Sequence, residues 1–182
     1  MEQSLRVLPT KSFSSCARSP LKLKGLAREA GVSARYGPPR KAAQDAEALL
    51  LAVHWSRIDD VLAQADLSGK VVITCSLPMT DDDRDLLIAH TSSGAEELAK
   101  KLPRARVVSA FNTMPSEVLL RVFYESRRSV RRPSLVYCGN DRSAKALAAA
   151  LITDAGFDPL DAGGLRIARY TEPFALLVGE LA

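Results

Sequence analysis

From residue 19 onward, short apolar runs alternate with stretches that carry helical periodicity. That alternation is the pattern of repeated strand–helix units closing on a parallel sheet, and it confines the chain to the α/β class. The run 48–53 (ALLLAV) has no polar alternation. It reads as a strand buried on both faces, as central parallel strands are. Residues 70–75, 106–111, 134–138 and 157–161 read as further strands.

Helices are predicted between them from their end signals. Ser19 and Pro20 suit the cap and first turn of a helix over 21–30 with Gly31 just beyond it. A helix is expected over 56–65. Ser93-Gly94-Ala95-Glu96 fits a capping box for a helix over 94–102. Pro115 opens one to about residue 124, Asp141 caps an alanine-rich one closed by Gly156, and the tail from Leu165 suits a terminal helix bearing Tyr170 and Phe174.

At 182 residues, 47% hydrophobic and 25% charged, the chain is long enough for one buried core and too apolar for a disordered segment. Its longest clean apolar run, 48–53, falls far short of the roughly 18–20 residues a membrane span needs. The first 19 residues lack an apolar stretch of signal-peptide length, so a cytoplasmic location without membrane association is expected. Cys16, Cys75 and Cys138 are widely spaced and odd in number, which argues against a disulfide framework or a zinc site.

The formal charge of +4 raises the question of an anionic partner, but the excess is local. Removing Arg121, Arg127, Arg128, Arg131 and Arg132 from the 25 basic residues leaves 20 against 21 acidic ones. A basic phosphate or nucleic-acid binder is therefore kept only as an alternative that no recognised motif supports. The carboxylates Asp81, Asp82, Asp83 and Asp85 lack a neighbouring His or Glu and the spacing of a calcium loop, and read as a solvated loop with no metal site.

Neither histidine, His54 or His90, belongs to a nucleophilic or metal-binding motif, so no catalytic residue is assigned. Position speaks more clearly. His54 and Trp55, then Ser76 to Pro78, then Asn112 and Thr113 each follow a predicted strand. Ligands of open α/β sheets bind beyond the carboxyl ends of the strands, so these three segments should meet at one crevice. Trp55 is equally suited to core packing, whereas an amide such as Asn112 at a strand end has little packing reason to be there.

The strings LAVHW (51–55), HTSSGAEELAKKLP (90–103), SAFNTMPSEVL (109–119) and GFDPLDAGGLRIARYTEP (156–173), with Ala17-Arg18-Ser19, resemble the NADP oxidoreductases dependent on coenzyme F420, a deazaflavin. The resemblance implies a Rossmann-type doubly wound, mostly parallel sheet. It further implies hydride transfer between NADP and the deazaflavin, chemistry that the cofactors themselves carry. On that basis Arg18 and Ser19 would meet the 2′-phosphate of NADP. His54 and Trp55 would form a wall beside the nicotinamide, Val53 and Pro78 would also belong to the cofactor site, and Asn112 and Thr113 would face the second cofactor. The partners implied are these small molecules, with a homodimer through the C-terminal helix as a further reading.

One part of the pattern is missing. A Rossmann-type first strand leads into Gly-x-Gly-x-x-Gly at a helix N-terminus, yet the first glycine in this sequence is Gly25, inside the first predicted helix. A strand, loop, helix and second strand need about 35 residues, and only 18 precede Ser19. Residues 1–15 therefore read as foreign to the family and 16–182 as a truncated domain whose first strand and glycine-rich loop are missing. Two arrangements could fill the gap. The strand around 15–17 could move beside 48–53, or 5–8 could serve as a short surrogate; the first is favoured. Impaired NADP binding is expected, with a catalytically inactive binding or dimerisation module as the alternative.

Overall fold

A computed structural model describes residues 5–7, 13–16, 20–30, 34–125 and 131–181. Among these described residues, eight strands form one sheet in the order β3-β2-β1-β4-β5-β6-β7-β8. They are β1 (Leu5–Val7), β2 (Phe13–Cys16), β3 (Ala34–Tyr36), β4 (Ala48–Leu51), β5 (Val71–Thr74), β6 (Arg106–Ala110), β7 (Ser134–Gly139) and β8 (Asp158–Asp161). Among the described residues, seven α-helices flank it: α1 (Pro20–Ala30), α2 (Pro39–Asp45), α3 (Ile58–Leu62), α4 (Gly94–Lys101), α5 (Ser116–Glu125), α6 (Arg142–Asp154) and α7 (Ala168–Glu180).

This is the α/β, mostly parallel, Rossmann-like arrangement that the sequence implied, in the doubly wound order 3-2-1-4-5-6 extended by two strands. The gap near the start is filled by the surrogate rather than by the favoured rearrangement. β1 lies between β2 and β4 and runs antiparallel to both, with Leu5 opposite Cys16 and Arg6 opposite Leu50. The reason is chain length. Parallel neighbours need a crossover of a dozen or more residues, whereas only five residues, numbers 8 to 12, separate β1 from β2. A hairpin is the pairing such a short link permits, and it turns β1 against its neighbours. The carboxyl end of β1, Val7, consequently lies at the edge of the sheet opposite to the carboxyl ends of β4, β5 and β6.

β4, β5 and β6 pair in parallel, Leu49 with Val72 and Val72 with Val107. β7 reverses against β6, and β8 runs parallel to β7, so the second half is not uniformly parallel as simple strand–helix repetition suggests. The strand expected over 48–53 ends at Leu51, and the last strand begins one residue late, at Asp158. β3 and α2, the latter entered through Pro38 and Pro39, lie in a stretch for which the sequence suggested no element.

The alternation of β4 sorts the core into two layers. Leu49 and Leu51 face a cluster with Val72, Ile58, Leu98 and Ala168, beneath α2, α3, α4 and α7. Ala48 faces the other side with Ile73, Val108, Leu135, Ile152 and Phe157, beneath α6. Expected caps hold. Ser93 Oγ accepts the Glu96 N–H at 3.2 Å to start α4, and Asp141 Oδ1 accepts the Ala144 N–H at 2.8 Å to start α6. Gly156, at φ 98°, makes the left-handed turn out of α6 into β8. Gly31 lies outside the described residues.

Candidate functional site

At the carboxyl ends of β4 and β5 the chain leaves a cleft of about 170 Å³, walled by Val53, His54, Ser76, Leu77, Met79 and Asp83 among others. Its floor is fixed by Ser76. The buried hydroxyl donates to the Val53 carbonyl at 2.7 Å and accepts the Val53 N–H at 3.3 Å, so one side chain acts as a ladder rung where the β4–β5 pairing stops.

His54 stands at the rim. Its Nδ1 accepts the Ser56 backbone N–H at 3.3 Å and lies 2.8 Å from Ser56 Oγ. An N–H can only donate, so Nδ1 is the acceptor and Nε2 carries the hydrogen. Nε2 faces Asp83 Oδ1 at 3.1 Å. Asp83 was expected in a solvated loop. Its loop is indeed exposed, but this carboxylate turns back onto the strand ends from a left-handed backbone, φ 58°.

Trp55 opens a single 3-10 turn, Trp55–Arg57, and packs half-buried against the core beneath α3. Pro78 is fully buried and closes on the start of α4, where a Cβ added at Gly94 would stand 2.9 Å from Pro78 Cδ. Asn112 and Thr113 follow β6 on the same edge of the sheet, and Asn112 Nδ2 donates to Ser109 Oγ at 3.2 Å. The residue that turns the chain there is Phe111, buried and at φ 67°. A bulky side chain in that region is uncommon, and such strain gathers at functional turns. Arg18 and Ser19 lie outside the described residues, as do Arg127 and Arg128. Arg132 is described and donates to the Thr153 carbonyl at 3.3 Å.

The sequence reading assigned no role to Glu172, which is 1% exposed and sits on α7. Its carboxylate accepts the Gly94 N–H at 2.7 Å and the Ala95 N–H at 2.9 Å. Burial pushes this carboxyl up to about 7, against the lowering by those two N–H groups. Beside it, Arg169 grips Glu96 with two bonds, 2.7 and 2.8 Å, which hold the Glu96 carboxyl below its usual range. The start of α4, a position suited to an anion, is therefore already filled by a carboxylate of the same chain.

Burial raises the Cys138 thiol to about 11, leaving it an inert core residue. Among the described residues no group of three His, Cys, Asp or Glu could hold a metal ion, and no helix is long and apolar enough to cross a membrane.

The fold is of the Rossmann-like α/β type. The chain matches, over residues 7–78, the family described as NADP oxidoreductase, coenzyme F420-dependent. It is 31% identical over 137 residues to Metalloreductase STEAP3 of Rattus norvegicus, across 75% of this chain but 26% of that protein, so it spans about a quarter of its relative's length. A solved structure assigned as an F420-dependent NADP-reductase of Arthrobacter sp. FB24 superposes with a TM-score of 0.71 at 24% identity, over 82% of this chain and 70% of that one. The hypothetical protein SMa0349 of Sinorhizobium meliloti gives 0.71 at 28% identity, over 83% and 73% of the two chains.

Proposed function

We propose that the crevice at the ends of β4, β5 and β6 receives the nicotinamide end of NADP, and that the chemistry it descends from is hydride transfer between NADP and a deazaflavin of the F420 type. The observation that carries this reading is the placement of three polar segments on one edge of the sheet. Val53, His54 and Ser76 line the cleft, and Asn112 and Thr113 stand two strands over at the end of β6. Where NADP binds, it supplies the hydride chemistry itself. The residues here would do the rest: Val53 and Ser76 form a rigid wall, His54 offers a polar rim, and Asn112 and Thr113 face the second ring. Arg18 and Ser19 are the candidates for the 2′-phosphate. The cytoplasm is the proposed location.

The pyrophosphate is a poorer fit. The sequence has no Gly-x-Gly-x-x-Gly, β1 runs antiparallel to β4 and so ends at the edge away from the crevice, and the N–H groups at the start of α4 are taken by Glu172. Weak NADP binding, well above micromolar, is the consequence. Calorimetric titration with NADPH tests it, since a dissociation constant near micromolar would show that the loop is dispensable here.

A second reading, a non-catalytic module that dimerises, is favoured by α7. Ala168, Glu172 and Ala175 are its buried face, and Tyr170, Phe174 and Leu177 are each more than half exposed on the opposite one. A helix that is apolar on both faces lacks its solvent side, and a second copy of the chain is the partner this reading names. Sedimentation at micromolar concentration decides between monomer and dimer.

A further inference from the structure

We propose that the loop 79–90 is a lid over the cleft, held shut by the hydrogen bond between His54 and Asp83. The proposal is independent of which molecule the cleft holds. Two of the cleft's walls, Met79 and Asp83, belong to this loop rather than to the sheet.

The loop is built as a self-contained unit. Its base is pinched where Leu87 N–H donates to the Pro78 carbonyl at 2.7 Å and where Met79 bridges Leu86. Within it Thr80 accepts and donates in turn. Its N–H reaches the Asp85 carbonyl at 2.9 Å, its carbonyl accepts the Asp83 N–H at 3.0 Å, and its hydroxyl donates to Asp82 Oδ1 at 2.6 Å. These bonds keep the loop's shape and tie it to nothing else. The tip, 81–85, is exposed throughout. Among the described residues, the bond that reaches from this tip to the strand ends is His54 Nε2 to Asp83 Oδ1, 3.1 Å across 29 residues of sequence.

A unit with internal hydrogen bonding, little buried surface and one polar tether moves as a body when the tether breaks. Asp83 is well chosen for the tether, because aspartate tolerates the left-handed backbone that turns its carboxylate inward. With the lid shut, Asp81, Asp82, Asp83 and Asp85 against Arg84 place negative charge at the mouth of the cleft, so an anionic ligand would enter with the lid open.

The test is amide relaxation by NMR on the whole chain. In the wild type, amides 81–85 should have order parameters near the rigid value of about 0.85, and in Asp83→Ala these should fall below about 0.6. His54→Phe should produce the same fall, the double variant no more than either alone, and Asp83→Asn, which keeps an acceptor oxygen, should restore most of the order. A soluble paramagnetic chelate should broaden the Val53 and Leu77 amides more in Asp83→Ala than in the wild type, while the amide shifts of β5 and β6 stay put and show that the fold is intact. Wild-type relaxation at 81–85 in Asp83→Ala, or additive effects of the two single variants, would overturn the latch. Increased tip motion with no added broadening at Val53 and Leu77 would overturn the lid.

Discussion

Glu172, on the last helix, accepts the backbone N–H of Gly94 at 2.7 Å across 78 residues of sequence. With the Ala95 bond and the Arg169–Glu96 pair, this contact fastens α7 to the first turn of α4. The tail motif Ala-Arg-x-x-Glu-Pro therefore serves as a clamp, with its arginine and glutamate both engaging one helix start.

Glu172→Ala should destabilise the fold by about 1–3 kcal/mol, since two buried N–H groups lose their acceptor. The carboxyl also sets a pH dependence. Its folded value, about 7, lies above the ordinary 4.5, so the native state holds a proton that the unfolded chain has released between those values. Stability from this group is full below about pH 4.5 and is lost as pH rises through 7. Urea midpoints measured from pH 4.5 to 8 should fall across that window, and Glu172→Gln should flatten the slope.

Arg169→Lys keeps the charge but loses the two-pronged grip on Glu96, and should cost about 1 kcal/mol or more because neither partner is fully solvated. A double-mutant cycle of Arg169→Ala with Glu96→Ala should give a coupling energy well above the few tenths expected of an exposed pair.

Gly94→Ala drives a Cβ to 2.9 Å from the Pro78 ring, which cannot swing aside. Overpacking of this kind costs about 1–3 kcal/mol. Pro78→Ala in the same chain should recover part of the loss, a rescue visible in thermal midpoints.

Ser76→Ala removes both bonds to the Val53 backbone and leaves that N–H and carbonyl unmet in a buried site. A loss of about 1–3 kcal/mol is expected, together with faster hydrogen exchange at Val53.

Local signals in the sequence were read well. Ser93 and Asp141 cap the helices their spacing implied, and the unbroken apolar run beginning at Ala48 is a doubly buried strand. Misreadings arose where the outcome depends on distant partners. Asp83 looked like one of four solvated carboxylates, because nothing within its loop announces a histidine 29 residues earlier. Glu172 drew no role and Pro78 reads as a cofactor-site residue from the sequence alone, because the start of α4, which meets both at Gly94, is distant from each in sequence. β1 was misjudged because a three-residue strand has almost no pattern of its own; the short link to β2 was the usable clue.

The pairing of β1 with β4 has a mechanical side. Their register rests on one residue pair, Arg6 with Leu50, whereas β4 and β5 share four. β1, β2, β3 and α1 thus join the larger sheet through a short strand pairing, with α2 as the one helix packed on both sides of that seam among the described residues. Such a seam is where cooperative unfolding divides into two steps, with the slab from β4 to β8 outlasting the flap on heating.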